Sequence, residues 1–211
     1  VSVPIGLQMG ATPGAIEVQG PGHGMSFVEE RLTSDRENRT LGLQVRPGRT
    51  LALLGGNIDL LGGNLTAIGD AVPGEATSIG GRVELGSVAA NSRVGLTPIA
   101  AGWQLGYEAV SAFQDIRLLN TASIDTSGAG AGAIHLQGRS IFVRDGSGLV
   151  AFNLGSQPSD PITLRATDLV ELSGFDAAQN YQSSILAKVN LEASGQGSNI
   201  DVQADRLQLL D

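Results

Sequence analysis

Short triplets of the form apolar–x–apolar recur along the chain: Ile16-Glu17-Val18, Leu43-Gln44-Val45, Leu51-Ala52-Leu53, Ile58-Asp59-Leu60, Val83-Glu84-Leu85, Val94-Gly95-Leu96 and Ile116-Arg117-Leu118. Alternation at period two sends successive side chains to opposite faces, so each triplet predicts a short strand with one buried side. Gly-Gly, Gly-Asn and Asp-Thr-Ser-Gly runs stand between the triplets, and these are turn chemistry. Helical spacing is nowhere sustained for long without a glycine interrupting it, so little helix is expected.

The C-terminal half adds a second regularity. Ile134-His135-Leu136 is followed seven residues on by Ile141-Phe142-Val143, and Ile200-Asp201-Val202 by Leu207-Gln208-Leu209; Leu51 and Ile58 keep the same offset. Ile162-Thr163-Leu164 leads to Leu169, but Glu171 then falls where an inward apolar residue belongs. A local bulge would turn Val170 and Leu172 inward instead. A strand, a tight corner and a second strand at fixed offset describe one coil of a β-solenoid, which buries its apolar side only by stacking on the next coil. The copies at Ile134, Ile162 and Ile200 lie 28 and 38 residues apart, implying coils of about 20–30 residues with inserted loops. At about 22 residues each, the chain would make about seven or eight coils. A meander sandwich also places turns every 8–12 residues or so. It has no reason to repeat an offset of seven, however, and it needs large aromatics to fill the gap between its sheets. The expectation is an all-β parallel solenoid forming one domain over residues 1–211, with loop insertions near 21–40, 67–80 and 175–184.

Composition narrows the picture further. Thirty Gly against five Phe, two Tyr and one Trp, with 41% of the chain still apolar, describes a β-rich protein with many turns rather than a disordered one. A net charge of −8 excludes nucleic acid and disfavours an anionic membrane surface, since both need clustered Lys and Arg. The absence of Cys removes disulfides and thiolate chemistry. No apolar run is long enough to span a bilayer as a helix, and no signal peptide is visible at Val1-Ser2-Val3-Pro4. The abrupt start and the end in mid-pattern suggest a piece of a longer chain.

The run from Leu51 to Thr66, with its repeated Gly-Gly-Asn, followed by Gly80-Gly81-Arg82-Val83-Glu84-Leu85-Gly86-Ser87-Val88, resembles cyanobacterial filamentous-haemagglutinin-like exoproteins of the two-partner secretion class. Ala122-Ser123-Ile124-Asp125-Thr126-Ser127-Gly128, Gly132 to Arg139 and Val170 to Gly174 extend the likeness over most of residues 42–211. The resemblance implies a right-handed, single-stranded parallel β-helix. It also implies export through a partner pore of the outer membrane, and display at the cell surface or release from it. The Asn-Pro-Asn-Gly signature of the family's export region does not occur. The β-helical body, rather than the export region, is therefore the part expected here.

Candidate chemistry is sparse. His135, between Ile134 and Leu136, should face outward, and both it and His23 read as solvated surface. Asp145-Gly146-Ser147-Gly148 supplies too few oxygen ligands for calcium and reads as a corner. Asp201, Asp205 and Asp211 read as one solvated face. The runs Gly20 to Gly24 and Gly128 to Gly132 precede no helix and lack the Lys of a phosphate loop. Asn38 and Asn64 begin glycosylation sequons by pattern only. Trp103 and Tyr107 lie two strand periods apart on one face and are the candidate ligand-facing aromatics, with packing as their alternative role.

No catalytic, cofactor or metal site is expected. The chain reads as a structural or adhesive segment of a secreted cell-surface protein. Its expected partners are a polysaccharide or protein receptor and, for the full-length chain, the outer-membrane secretion partner. The alternative is a carbohydrate-active β-helix such as a polysaccharide lyase or hydrolase, for which Arg139, Arg144 and Arg165 with Asp145 and Asp168 are the outward charged residues to consider.

Overall fold

The computed structural model describes residues 3–28, 33–35, 39–69, 77–178 and 180–210. Every regular element among them is a β-strand. Most of the strands fall into three parallel ladders, which the chain visits in the same order on each pass.

The first ladder aligns Leu51, Val83, Ile134, Ile162 and Ile200 in register. The second aligns Ile16, Ile58, Ile116, Ile141, Val170 and Leu207. The third aligns Leu43, Leu65, Ile124, Leu149 and Ile185. Two residues on, Leu53, Leu85, Leu136, Leu164 and Val202 repeat the first column, and Val18, Leu60, Leu118, Val143, Leu172 and Leu209 repeat the second. Most inward members of the three ladders form one core cluster, with Ile58, Leu60, Leu65, Leu85, Ile116, Ile134 and Ile141 fully buried, whereas Leu43, Ile200, Leu207 and Leu209 in the outermost strands are exposed. Each fully buried side chain contributes about 1.5–3 kcal/mol. Among the described residues no aromatic enters this cluster.

The offset of seven joins the first ladder to the second, as expected for Leu51 and Ile58, for Ile134 and Ile141, and for Ile200 and Leu207. At Ile162 the predicted bulge is present. Gly138 faces Ala166 but Ser140 faces Leu169, so an extra residue lies on the Ile162–Ser173 strand, Val170 points inward, and Glu171 stays outside.

Between the second and third ladders the chain turns through left-handed backbone. Gly62 (φ 64°), Asn120 and Thr121 (57° and 58°), Asp145 and Gly146 (54° and 72°) and Gly174 (82°) occupy this corner on successive passes. Three of these residues, Asn120, Thr121 and Asp145, carry side chains; Asn and Asp tolerate this backbone, whereas the β-branched Thr121 is held in it against its preference.

The second ladder holds six strands among the described residues, not the expected seven or eight. Insertions account for the shortfall. Residues 21–40 contain an antiparallel pair, Ser26–Val28 with Thr33–Asp35, and residues 175–184 another, Phe175–Asp176 with Tyr181–Gln182. Of the 67–80 insertion, residues 70–76 lie outside the described residues. A further insertion, residues 88–114, has no counterpart in the sequence reading. Val94-Gly95-Leu96, expected as a coil strand, belongs instead to an antiparallel hairpin, Arg93–Ile99 with Gly102–Gly106, joined by Gly6–Gln8. Its own small core is Val88, Val94 and Leu105, with Met9, Leu54, Tyr107 and Phe113 against it.

Candidate functional site

The outward faces of the ladders are the candidate surface, because a parallel strand sends every second side chain away from the core. On the second ladder Asp59, Arg117, Phe142 and Glu171 follow one another in register. Arg117 donates from Nη1 to Asp59 Oδ1 (3.1 Å) and from Nη2 to Asp115 Oδ2 (2.8 Å). Arg139 clasps the same Asp115 carboxylate through Nε and Nη2, both at 2.8 Å. Arg144 makes a bidentate pair with Glu171 (2.6 and 2.7 Å) and stacks over the Phe142 ring at 4.4 Å. Hydrogen bonding from Arg139 holds the Asp115 carboxyl below the usual range, and hydrogen bonding from Arg144 does the same for Glu171. At the next pass Arg165 pairs with Asp201, and Arg206 with Asp168 (2.8 Å).

The charges raised as an enzyme-like constellation therefore neutralise one another from pass to pass. Arg139, Arg144 and Arg165 each hold a carboxylate, Asp168 holds Arg206, and Asp145 is a corner residue in left-handed backbone. Of the acidic trio at the C-terminus, Asp201 is paired, Asp205 is exposed, and Asp211 lies outside the described residues.

The outward face of the first ladder is roofed by the 88–114 insertion. Glu84 is fully buried there, bonded to Arg82 and 3.3 Å from His135 Nδ1. The Tyr107 ring meets His135 edge-on at 5.9 Å and Phe113 at 6.1 Å. The Tyr107 hydroxyl is inaccessible and has no hydrogen-bond partner among the described residues; burial pushes its pKa well up. A Cβ on Gly86 would strike that hydroxyl, so the bare glycine is what leaves room for the ring. Trp103, on the hairpin itself, is partly buried and faces Pro98 across the strand pair.

Both histidines depart from the solvated surface expected of them. His135 does face outward, but the Tyr107 ring covers it. His23 is fully buried: its ring packs on Tyr181 at 4.6 Å and bonds to the Gly146 carbonyl at 2.8 Å. A strand pattern cannot announce such a residue, because His23 lies in a Gly-Pro-Gly loop whose partners come from 123 and 158 positions later. Asn64 is buried too, donating to Gly22 O and accepting from Ser123 Oγ (2.7 Å), which removes it as a sugar acceptor; Asn38 lies outside the described residues. No group of three His, Cys, Asp or Glu among the described residues could hold a metal ion.

Compared with known families, residues 1–136 match the TPS secretion domain, the export domain of two-partner secretion, across more than half of the 211 residues. The chain belongs to the two-partner secretion family. A member of this family is secreted, and its export runs through an outer-membrane transporter. The match begins at residue 1 and so corrects the expectation that the export region is missing. The Asn-Pro-Asn-Gly run is indeed not in the chain, but the match extends through the first passes of the ladders and the insertions at 21–40, 67–80 and 88–114. No curated protein and no solved structure matches the chain.

Proposed function

We propose that this two-partner secretion protein is a non-catalytic structural or adhesive segment of a filamentous-haemagglutinin-like exoprotein of the cyanobacterial type, displayed at the cell surface. Its scaffold on this reading is a right-handed, single-stranded parallel β-helix, a stiff stalk whose loops and inserted hairpins are free to vary. What supports it is the in-register stack of three aliphatic ladders, each crossed once per pass. The outward charges favour the same reading over a carbohydrate-active enzyme. Such an enzyme needs a carboxylate free to work as acid or base at the sugar, and here Asp115, Glu171, Asp168 and Asp201 each hold an arginine. A ligand contact on the inserted hairpin falls to Trp103, with Tyr107 fixing the hairpin beneath it.

The test is incubation with a panel of neutral and acidic polysaccharides, following both retention and new reducing or unsaturated ends. The expected outcome is no product, with any retention weakened by Trp103→Ala. Product that survives repurification would overturn the non-catalytic reading.

A further inference from the structure

Residues 20–28 and 39–41 form the two legs of a strap that ties successive passes together. Gly20 and Gly22 donate their amides to Leu61 O (3.1 Å) and Gly62 O (2.9 Å) on one pass. The His23 amide donates to Thr121 O (2.8 Å) on the next, the His23 ring reaches Gly146 O on the third, and its face meets Tyr181 on the fourth. The return leg is tied by Thr40 N to His23 O (2.8 Å), by Thr66 Oγ1 to Leu41 O (2.9 Å) and by Arg39 to Asp125 (3.3 Å). Under the strap, Met25 closes a satellite apolar cluster of Val150, Phe152, Leu154 and Tyr181, with Leu186 beside it, on the outward side of the third ladder.

His23 is the pin of this strap, and its hydrogen bonds fix its charge state. Nδ1 accepts from the Met25 amide (2.9 Å), so the ring proton sits on Nε2 and is donated to Gly146 O. A second proton would have to enter at Nδ1 and confront the Met25 N–H, donor against donor, in a place closed to water. Three titratable groups flank the ring among the described residues. Asp176, on the Phe175–Asp176 strand, favours the charged ring, Asp145 stands beside the corner carbonyl, and Tyr181 packs on the ring face. Burial outweighs Asp176 and keeps the pKa of His23 below its ordinary value.

We propose that His23 is a protonation-gated latch: acidification releases the strap from the corner column and uncovers the apolar patch of Val150, Phe152, Leu154 and Leu186 while the three ladders stay intact. The closed strap is fully held above the ordinary histidine range, about 6.5, and is lost as pH falls through the lower value of the buried ring. The latch is independent of the stalk and adhesin reading.

Hydrogen exchange of the chain between about pH 8 and about pH 4.5, corrected for the intrinsic rate, tests it. Protection of residues 20–28 is expected to fall about tenfold or more below about pH 6.5, with residues 133–144 unchanged and an apolar dye gaining fluorescence at the same midpoint. Asp176→Asn removes the charge that favours the protonated ring and should move that midpoint to lower pH. His23→Gln should give a strap whose protection, held or lost, no longer changes with pH. Strap protection that persists until the ladders themselves open would overturn the latch. So would a midpoint unmoved by Asp176→Asn, or one that survives in His23→Gln.

Discussion

Ile141 stands opposite Val170, not Leu169, across the parallel strands Ala133–Arg144 and Ile162–Ser173. One extra residue beyond Ala166 shifts the register, keeping the aliphatic column continuous and leaving Glu171 outside to accept Arg144. Glu171→Leu, which an unshifted strand would welcome as a core residue, should instead destabilise by about 1–3 kcal/mol because Arg144 and Ser173 lose their shared acceptor. Ile141→Ala should cost about 2–5 kcal/mol through the cavity it opens. Urea unfolding of both variants checks the pair. A stabilised Glu171→Leu would mean the bulge is absent.

Acid should weaken the protein through its outer charge ladder. Asp115 and Glu171 are held below the ordinary carboxylate range by Arg139 and Arg144. A depressed carboxyl adds stability above its unfolded value and loses it as pH falls through the folded one. The melting temperature should therefore drop below about pH 4, and Asp115→Asn should flatten part of that fall. Melting curves across that range would show the difference as a shallower slope.

The inserted hairpin rests on a space left by a missing side chain. Gly86→Ala puts a methyl group against the Tyr107 hydroxyl and the Leu54 side chain. Overpacking of this kind costs about 1–3 kcal/mol. The hairpin should lift locally, so limited proteolysis should cut faster within residues 88–114 while the ladders remain protected. Tyr107→Phe deletes a buried hydroxyl without a partner and should be neutral or stabilising by up to about 1 kcal/mol.

Much of the ladder architecture was legible in the sequence, because period-two alternation and the offset of seven are local properties of a few neighbouring residues. Even the bulge was visible, since Glu171 could not be buried unpaired at an inward position. The satellite structure was not legible. Val94-Gly95-Leu96 has the same alternation as a coil strand, and only its antiparallel partners at Gly102–Gly106 and Gly6–Gln8 distinguish it. Trp103 and Tyr107 were read as a pair on one face, but the setting of the Tyr107 hydroxyl depends on Gly86 in another pass. His23 escaped for a similar reason: its environment is assembled from three corners that no local pattern connects.

The strap also closes a long loop. His23 and Tyr181 are separated by 158 positions. A stack of passes can grow by adding one neighbour at a time, at low cost in chain entropy for each step. The contact of His23 with Tyr181 is not such a step, because it joins groups held on passes that are not neighbours. Its closure therefore costs more loop entropy than any step between neighbouring passes, and ties together stretches that the ladders alone leave apart.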